Sequence, residues 1–145
     1  MEIYTIGFAG RAAPDFFAAL KGAGILRLID VRLNNTSQLA GFTKRADLPY
    51  LLREICDTEY LHLPLLAPTR ELLDTYKKQR GSWADYERGF MALLGERQVE
   101  QHLARALFEV PSVLLCSERT AEHCHRRLVC EYLAAAWDDL TAAHL

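Results

Sequence analysis

The chain has 145 residues, of which 50% are hydrophobic and 25% are charged, as is typical of one soluble globular domain. The net charge of −2 does not indicate nucleic-acid binding, and no apolar run approaches the length of a membrane span. The first residues lack the basic and apolar regions of a secretory signal, and four cysteines without such a signal favour reduced thiols. We therefore expect a single cytoplasmic domain over residues 1–145.

Four short apolar runs predict β-strands, and turn-forming or polar residues follow each of them. They lie at residues 3–6, 26–31, 59–63 and 112–116. Because helical segments separate the strands, we expect them to pair in parallel. The sequence thus predicts an α/β fold, in which helices flank a mostly parallel sheet of about four strands within a single domain.

Apolar residues at helical spacing fill the segments between the strands. A further helix is predicted over about residues 97–108, so that three helical segments precede the fourth strand. We expect this long insertion to form a lid or to cover one edge of the sheet. Ser82 is followed three residues later by Asp85, as in a capping box. The residues that favour a helix N-terminus are Pro14, Asp47, Thr69 and Ser82.

A short polar loop follows the fourth strand, and the last helix is predicted to open on Cys124-His125-Arg126-Arg127 and to run to about Trp137. Its faces are assigned from a start near Thr120. A step of 100° per residue then places His125 on an apolar face that points toward the sheet. Arg127 points toward solvent on the same helix, and we expect it to pair with Glu131 one turn later.

Polar residues follow three of the four strands, at the edge of the sheet where the carboxyl ends meet. Ligands bind beyond this edge in open parallel sheets, so we expect a ligand site there. The last helix adds further polar residues near its start, and Trp83 is placed to stack on a planar ligand. The candidate substrate-binding residues are Gly7, Arg11, Asp30, Arg32, Asn34, Trp83 and Arg126, and the candidate catalytic residues are Cys116, Glu118, Cys124 and His125.

Two cysteines, Cys116 and Cys124, have histidine, arginine and glutamate as neighbours. A thiol near a helix N-terminus and beside a cationic side chain has a lowered pKa and is nucleophilic. We expect one of these thiols to act as the nucleophile, and Glu118 and His125 to move protons. The alternative for His125 is a core histidine whose ring is satisfied by a backbone carbonyl. The alternatives for the thiols are that both are buried packing residues, that they form a reversible disulfide, or that they bind a metal with His125 or His123 and with Glu118 as a fourth ligand. The spacing lacks a paired Cys-x-x-Cys, so we assign no metal ligand, and the cofactor stays open. Two further cysteines are predicted to be packing residues: Cys56 and Cys130.

The arginines at this edge favour an anionic ligand, because a guanidinium binds a carboxylate or a phosphate through two parallel hydrogen bonds. Arg32 and Arg126 are the candidates. The alternative is internal ion pairing, of Asp30 with Arg32 and of Arg126 with Asp30 or Glu118. We expect a small anionic ligand, a phosphate or a nucleotide, and the oligomeric state stays open. The loop that follows the second strand is either solvated or contacts phosphate through polar residues: Asn34, Asn35, Thr36, Ser37, Gln38, Lys44 and Arg45.

Five short motifs occur in order over nearly the whole chain: Thr5-Ile6-Gly7, Asp30-Val31-Arg32, Trp83-x-x-Tyr86-x-x-x-Phe90, Leu114-Leu115-Cys116-x-Glu118 and Cys124-His125-Arg126. These motifs resemble those of the domain of unknown function 488 family. The resemblance implies a small α/β domain with a polar site built from the motifs, and it implies no established reaction. Many members have a His-Ser pair after the first glycine, where this chain has Phe8 and Ala9.

Two classes of function fit these observations. The first is an enzyme that binds a small anionic or nucleotide-like substrate at the strand ends. The second is a non-catalytic thiol-redox, metal-binding or nucleic-acid accessory module, in which the same cluster is structural. We favour the enzyme, because many ionisable groups at one edge are costly to bury without a functional reason.

Overall fold

The computed structural model describes residues 1–36 and 41–145 and contains one parallel sheet of five strands. The order across the sheet is β3-β2-β4-β1-β5, and every pairing is parallel. The predicted α/β fold is confirmed, with one strand more than expected. The strands are β1 (Glu2–Gly7), β2 (Arg27–Asp30), β3 (Glu59–His62), β4 (Ser112–Cys116) and β5 (Thr141–His144).

Helices cover both faces of the sheet, and the alternation of side chains along β4 divides the core between them. Val113 and Leu115 pack on the side of α1 (Ala13–Gly22) and α2 (Leu48–Cys56). Leu114 and Cys116 pack on the opposite side. The helices on that side are α4 (Trp83–Glu96), α5 (Val99–His102) and α6 (His125–Ala136). The thiol of Cys116 therefore faces the layer that contains α6.

The helix α3 (Arg70–Lys77) differs from the other long helices, because it has no buried residue. It begins at Thr69, whose side chain accepts a hydrogen bond from the N–H of Leu72, as predicted for an N-cap. Ser82 caps α4 in the same way, through the N–H of Asp85. Within the described residues, no helix combines the length and the apolar character needed to cross a membrane.

Three predicted helix features are wrong. Asp47 stands before α2 but makes no cap hydrogen bond, and its carboxylate lies 3.2 Å from Lys44 Nζ instead. In place of one helix over residues 97–108, α5 is followed by an extended residue and a 3₁₀ turn, Arg105–Phe108. This break lets both Leu103 and Phe108 reach the core.

The start near Thr120 is the third correction: α6 begins at His125, with Cys124 as its N-cap residue, which agrees with the predicted opening on Cys124-His125. Residues 117–124 form a loop, and the carbonyl groups of Glu118 and Arg119 accept hydrogen bonds from the buried Arg126 side chain. Leu128, Val129 and Leu133 are buried on the face of α6 that packs on the sheet.

Candidate functional site

A pocket with a cavity volume of about 70 Å³ opens at the carboxyl ends of β2 and β4. A single water needs roughly 10–15 Å³ of such space, so the pocket admits several waters or one small solute. Many of the predicted site residues line it: Arg32, Asn34, Trp83, Cys116, Glu118, Cys124 and His125. The remaining lining residues are Leu33, Pro68, Leu73, Tyr76, Lys77, Tyr86, Ser117 and His123.

A cysteine and a histidine meet at the floor of this pocket. Cys116 ends β4, and its Sγ lies 3.3 Å from Nδ1 of His125, the first residue of α6. The other ring nitrogen, Nε2, lies 2.7 Å from the carbonyl oxygen of Val31. A carbonyl oxygen only accepts hydrogen bonds, so Nε2 carries a proton, and in the neutral ring the lone pair of Nδ1 is free. This tautomer lets Nδ1 receive the proton of the Cys116 thiol.

The thiol and the ring are close but not aligned. The Cys116 sulfur also lies 3.9 Å from Nε2, so it stands beside the ring and not in line with the Nδ1 lone pair. Proton transfer therefore requires the sulfur or the ring to move until the thiol faces the Nδ1 lone pair. Such loose contacts are common before a substrate binds, and they tighten in the complex.

The surroundings of Cys116 favour its thiolate. Burial raises the pKa of this thiol. The hydrogen bond from Cys124, the N–H groups of Ser117 and Glu118 and the charge of Arg126 together bring the pKa below its usual value. For Cys124 the direction is opposite: the hydrogen bond to Cys116 and burial raise its pKa. Cys116 is thus the more acidic thiol of the pair.

Arg126 lies beneath the pocket as a buried cation. Its Nη1 donates to the Glu118 carbonyl at 2.5 Å, and Nε donates to Thr5 Oγ1 at 3.2 Å. Within the described residues no carboxylate pairs with it, so the predicted ion pair with Asp30 or Glu118 is wrong. A buried charge without a counterion is costly, and a thiolate at Cys116 offsets that cost.

The other buried arginine at this edge is fully paired. Arg32 donates from Nε and Nη2 to the two carboxylate oxygens of Asp30, at 2.9 Å each, as one alternative predicted. Tyr60 Oη also donates to Asp30, at 2.6 Å. Burial raises the pKa of this carboxyl, but the hydrogen bonds and charge of Arg32, with the Tyr60 hydroxyl, lower it overall. Asp30 therefore supports Arg32 from behind the pocket wall.

The mouth of the pocket carries opposite charges and aromatic rings. Lys77 Nζ, at the end of α3, lies 2.6 Å from Glu118 Oε1. The ring of His123 stacks on Trp83, with centroids 4.9 Å apart and planes inclined by 23°. At the other end of α3, Arg70 donates to Asn34 Oδ1 at 2.7 Å. Of the predicted insertion, α3 thus covers the pocket, whereas α4 and α5 pack on a face of the sheet.

Several predicted site residues lie outside the pocket lining. Gly7 stands next to Cys116 in the sheet register, and it leaves room for the Glu118 carbonyl. Arg11 donates to the carbonyl of Leu145 at 2.7 Å, at the C-terminus. Asp30 and Arg126 lie behind the wall and the floor, as described above. Arg127 pairs with Glu131 at 2.8 Å, as predicted. Of the predicted polar loop, Ser37 and Gln38 lie outside the described residues.

Residue-by-residue reasoning missed the contribution of α3. Lys77 and Tyr76 both line the pocket, although Tyr76 had the spacing of a core residue and Lys77 that of a surface charge. Neither residue lies in a motif. The available signal was the composition and position of α3. This short helix lies between the end of β3 and α4, and it has few apolar side chains to bury.

Comparison with known proteins gives one match. The model of a family described as "Domain of unknown function DUF488" matches residues 12–133. Neither the curated proteins nor the solved structures include a significant match to this chain. The matched segment contains α1 through most of α6, and with them every residue of the pocket lining.

Proposed function

The chain belongs to the domain of unknown function 488 family, whose name assigns no reaction, and we propose that it is a cysteine-dependent enzyme. Its substrate is a small anionic or nucleotide-like molecule bound at the carboxyl ends of the strands. One observation carries this proposal: the contact of Cys116 Sγ with Nδ1 of His125, in a ring oriented by the Val31 carbonyl. Nucleophile, base and orienting group are the arrangement that activates a thiol.

In the proposed reaction His125 takes the proton of Cys116, and the thiolate attacks an electrophilic centre of the substrate. The bond from Sγ to that centre forms while the bond to the leaving group breaks. The leaving group then takes the proton from Nδ1 of His125. An acceptor molecule then displaces the group bound to Cys116 and releases the product. Glu118 lies at the mouth of the same pocket, where it can move the second proton in that step.

Charge and shape at the mouth support the substrate class. Among residues 1–36 and 41–145, Glu118 is the one carboxylate that pairs with Lys77, and an anionic group of the substrate can replace it. The stacked rings of Trp83 and His123 offer a flat wall to a planar group. A molecule with a phosphate or carboxylate and a ring uses both features.

The reactivity of Cys116 tests the proposed nucleophile. We expect iodoacetamide to label Cys116 of the full chain first, with a midpoint pH below the value near 8.5 of an ordinary thiol. Peptide mass spectrometry over a pH series measures each cysteine separately. His125→Ala should slow the labelling at neutral pH. Cys130→Ala is the matched control, because burial raises the pKa of that thiol to about 12 and it faces away from the pocket.

Two outcomes would contradict the nucleophile: faster labelling of Cys56, whose pKa burial raises, or a Cys116 rate that His125→Ala leaves unchanged. Calorimetry with adenosine monophosphate and adenosine tests the substrate class. The monophosphate should bind more tightly than adenosine, and Lys77→Met should reduce the ratio of the two affinities by about tenfold. Equal binding of the two compounds would rule out recognition of the anion.

Metal binding is the second candidate function, because one observation favours it. The donor atoms of Cys116, Cys124 and His125 lie within 4.8 Å of one another. Two cysteines and one histidine bind catalytic zinc with the fourth position open, and the Val31 carbonyl is the usual kind of support for the histidine. The buried charge of Arg126 opposes a dication here, so we favour the thiolate. Elemental analysis after chelator-free purification decides: one equivalent of zinc that Cys124→Ala abolishes would favour the metal.

A further inference from the structure

The floor of the pocket contains two buried sulfurs, whereas the proposed nucleophile requires only that of Cys116. Cys116 and Cys124 belong, with His125, to a buried cluster whose donor atoms lie within 4.8 Å of one another. Sulfurs in a disulfide are about 2.05 Å apart, so a movement of a few ångströms joins them.

The two cysteines are held very differently. Cys116 is the last residue of the central strand β4, paired in register with Gly7 of β1. Cys124 is the N-cap residue of α6, and residues 117–123 connect the two as a loop. Movement of Cys124 toward Cys116 therefore requires a change in this loop, and leaves the sheet intact.

We propose that Cys116 and Cys124 are a dithiol that reduces small hydroperoxides, with Cys116 as the attacking thiol and Cys124 as the resolving thiol. The pocket admits a solute of this size, and both sulfurs line it. The proposal rests on the proposed function only for the reactivity of the Cys116 thiolate. It adds an activity and an oxidant class that an enzyme with a single thiol would not have.

The first step forms a bond between Cys116 Sγ and the terminal oxygen of the hydroperoxide and breaks the O–O bond. The departing alkoxide takes the proton that His125 received from Cys116, which leaves an alcohol and a sulfenic acid. In the second step Cys124 attacks the Cys116 sulfur, and its proton leaves with the hydroxyl group as water. Two thiols are thus oxidised to one disulfide while the hydroperoxide gains two electrons. Two equivalents of a small thiol restore the dithiol by exchange and are themselves joined in a disulfide.

Neighbouring groups favour this division of roles. Arg126 and the N–H groups of Ser117 and Glu118 stabilise negative charge on Cys116, which makes it the better attacking group. The neighbouring Cys116 and burial raise the pKa of Cys124, which makes it the weaker competitor for the oxidant, and its sulfur lies in the same buried cluster as the sulfur that it must attack. Cys130, on the same helix, is buried with a raised pKa and does not line the pocket.

Reaction of the full, reduced chain with one equivalent of hydrogen peroxide tests the proposal. We expect the intact mass to fall by two hydrogens, with a disulfide that joins the Cys116 and Cys124 peptides. Oxidation should be at least about tenfold faster than at Cys56, which has a raised pKa. Cys124→Ser should instead accumulate a sulfenic acid on Cys116, which dimedone traps, and further peroxide should carry it to higher acids. Cys130→Ala is the control that should still form the disulfide.

The outcomes separate this inference from the proposed function. If iodoacetamide labels Cys116 readily but peroxide leaves both thiols free, or oxidises Cys116 past the sulfenic acid in the unaltered chain, the dithiol is refuted and the nucleophile stands. If Cys116 resists iodoacetamide as well, both proposals fail. The mass of the unaltered chain decides even if Cys124→Ser does not fold.

Discussion

Replacement of Gly7 by alanine tests how closely the sheet and the pocket loop approach each other. A Cβ atom on Gly7 would lie 1.5 Å from the Glu118 carbonyl oxygen and 2.7 Å from Arg126 Nη1, whereas real Cβ contacts are essentially never under 3.0 Å. Gly7 pairs with Cys116 inside the sheet, so the strand cannot yield. The loop must move by at least 1.5 Å at the carbonyl.

That displacement has a cost that can be worked out from the contacts it breaks. The hydrogen bond from Arg126 to the Glu118 carbonyl involves a charged donor, worth about 1.5–3 kcal/mol. The bond from Ala9 N–H to the Ser117 carbonyl adds roughly 1 kcal/mol. We therefore expect Gly7→Ala to lower the free energy of unfolding by about 2.5–4 kcal/mol and to slow Cys116 alkylation.

Urea denaturation followed by circular dichroism measures the first effect, and iodoacetamide labelling the second. Gly95→Ala is the matched control, since a Cβ there has no neighbour within 4 Å and alanine favours the helix. It should leave labelling unchanged and raise stability by at most about 1 kcal/mol. A Gly7→Ala chain as stable as the unaltered one, to within about 0.5 kcal/mol, would refute the reasoning.

Three further predictions concern Arg126, Asp30 and the helix α3. Arg126→Met should raise the pH midpoint of Cys116 alkylation by about one unit, whereas Arg126→Lys should keep most of the lowering; equal shifts in both would exclude an effect of charge. Asp30→Asn should cost about 3–5 kcal/mol in urea denaturation, because it unpairs a buried guanidinium. The lowered pKa of Asp30 adds stability that is present above the unfolded value near 3.9 and is lost as the pH falls through the folded value, so the variant should lack this acid transition. Arg70→Ala, which removes the hydrogen bond to Asn34, should speed amide hydrogen exchange in α3. Unchanged exchange would show that this contact does not stabilise α3.

The strands and the meeting of their ends could be predicted from the sequence, because apolar runs and intervening helices determine a parallel sheet. This reasoning alone brought Arg32 to the same edge as Cys116 and Glu118. The fifth strand could not be predicted in the same way. Its sequence, Thr-Ala-Ala-His, has no alternation, and pairing with β1 defines it instead.

Local patterns also could not predict the path of the loop before α6. The faces of this helix are assigned from a start near Thr120, but Arg126 binds two loop carbonyls and the helix begins at His125. The pairing of Lys77 with Glu118 joins residues 41 positions apart, and neither side chain has a local signal for it. Such contacts depend on the tertiary fold, so sequence reasoning found the floor of the site and missed part of its mouth.

The group that orients His125 is a main-chain carbonyl, and this affects how mutation acts on the site. The side chain at position 31 is a buried apolar residue of the core, and its replacement by another residue that packs there leaves the carbonyl in place. In an alanine scan, Val31→Ala would therefore change stability through lost packing and would leave the hydrogen bond to His125 in place. The orienting bond is thus protected from substitution at position 31, and a shift of the β2 end relative to α6 removes it.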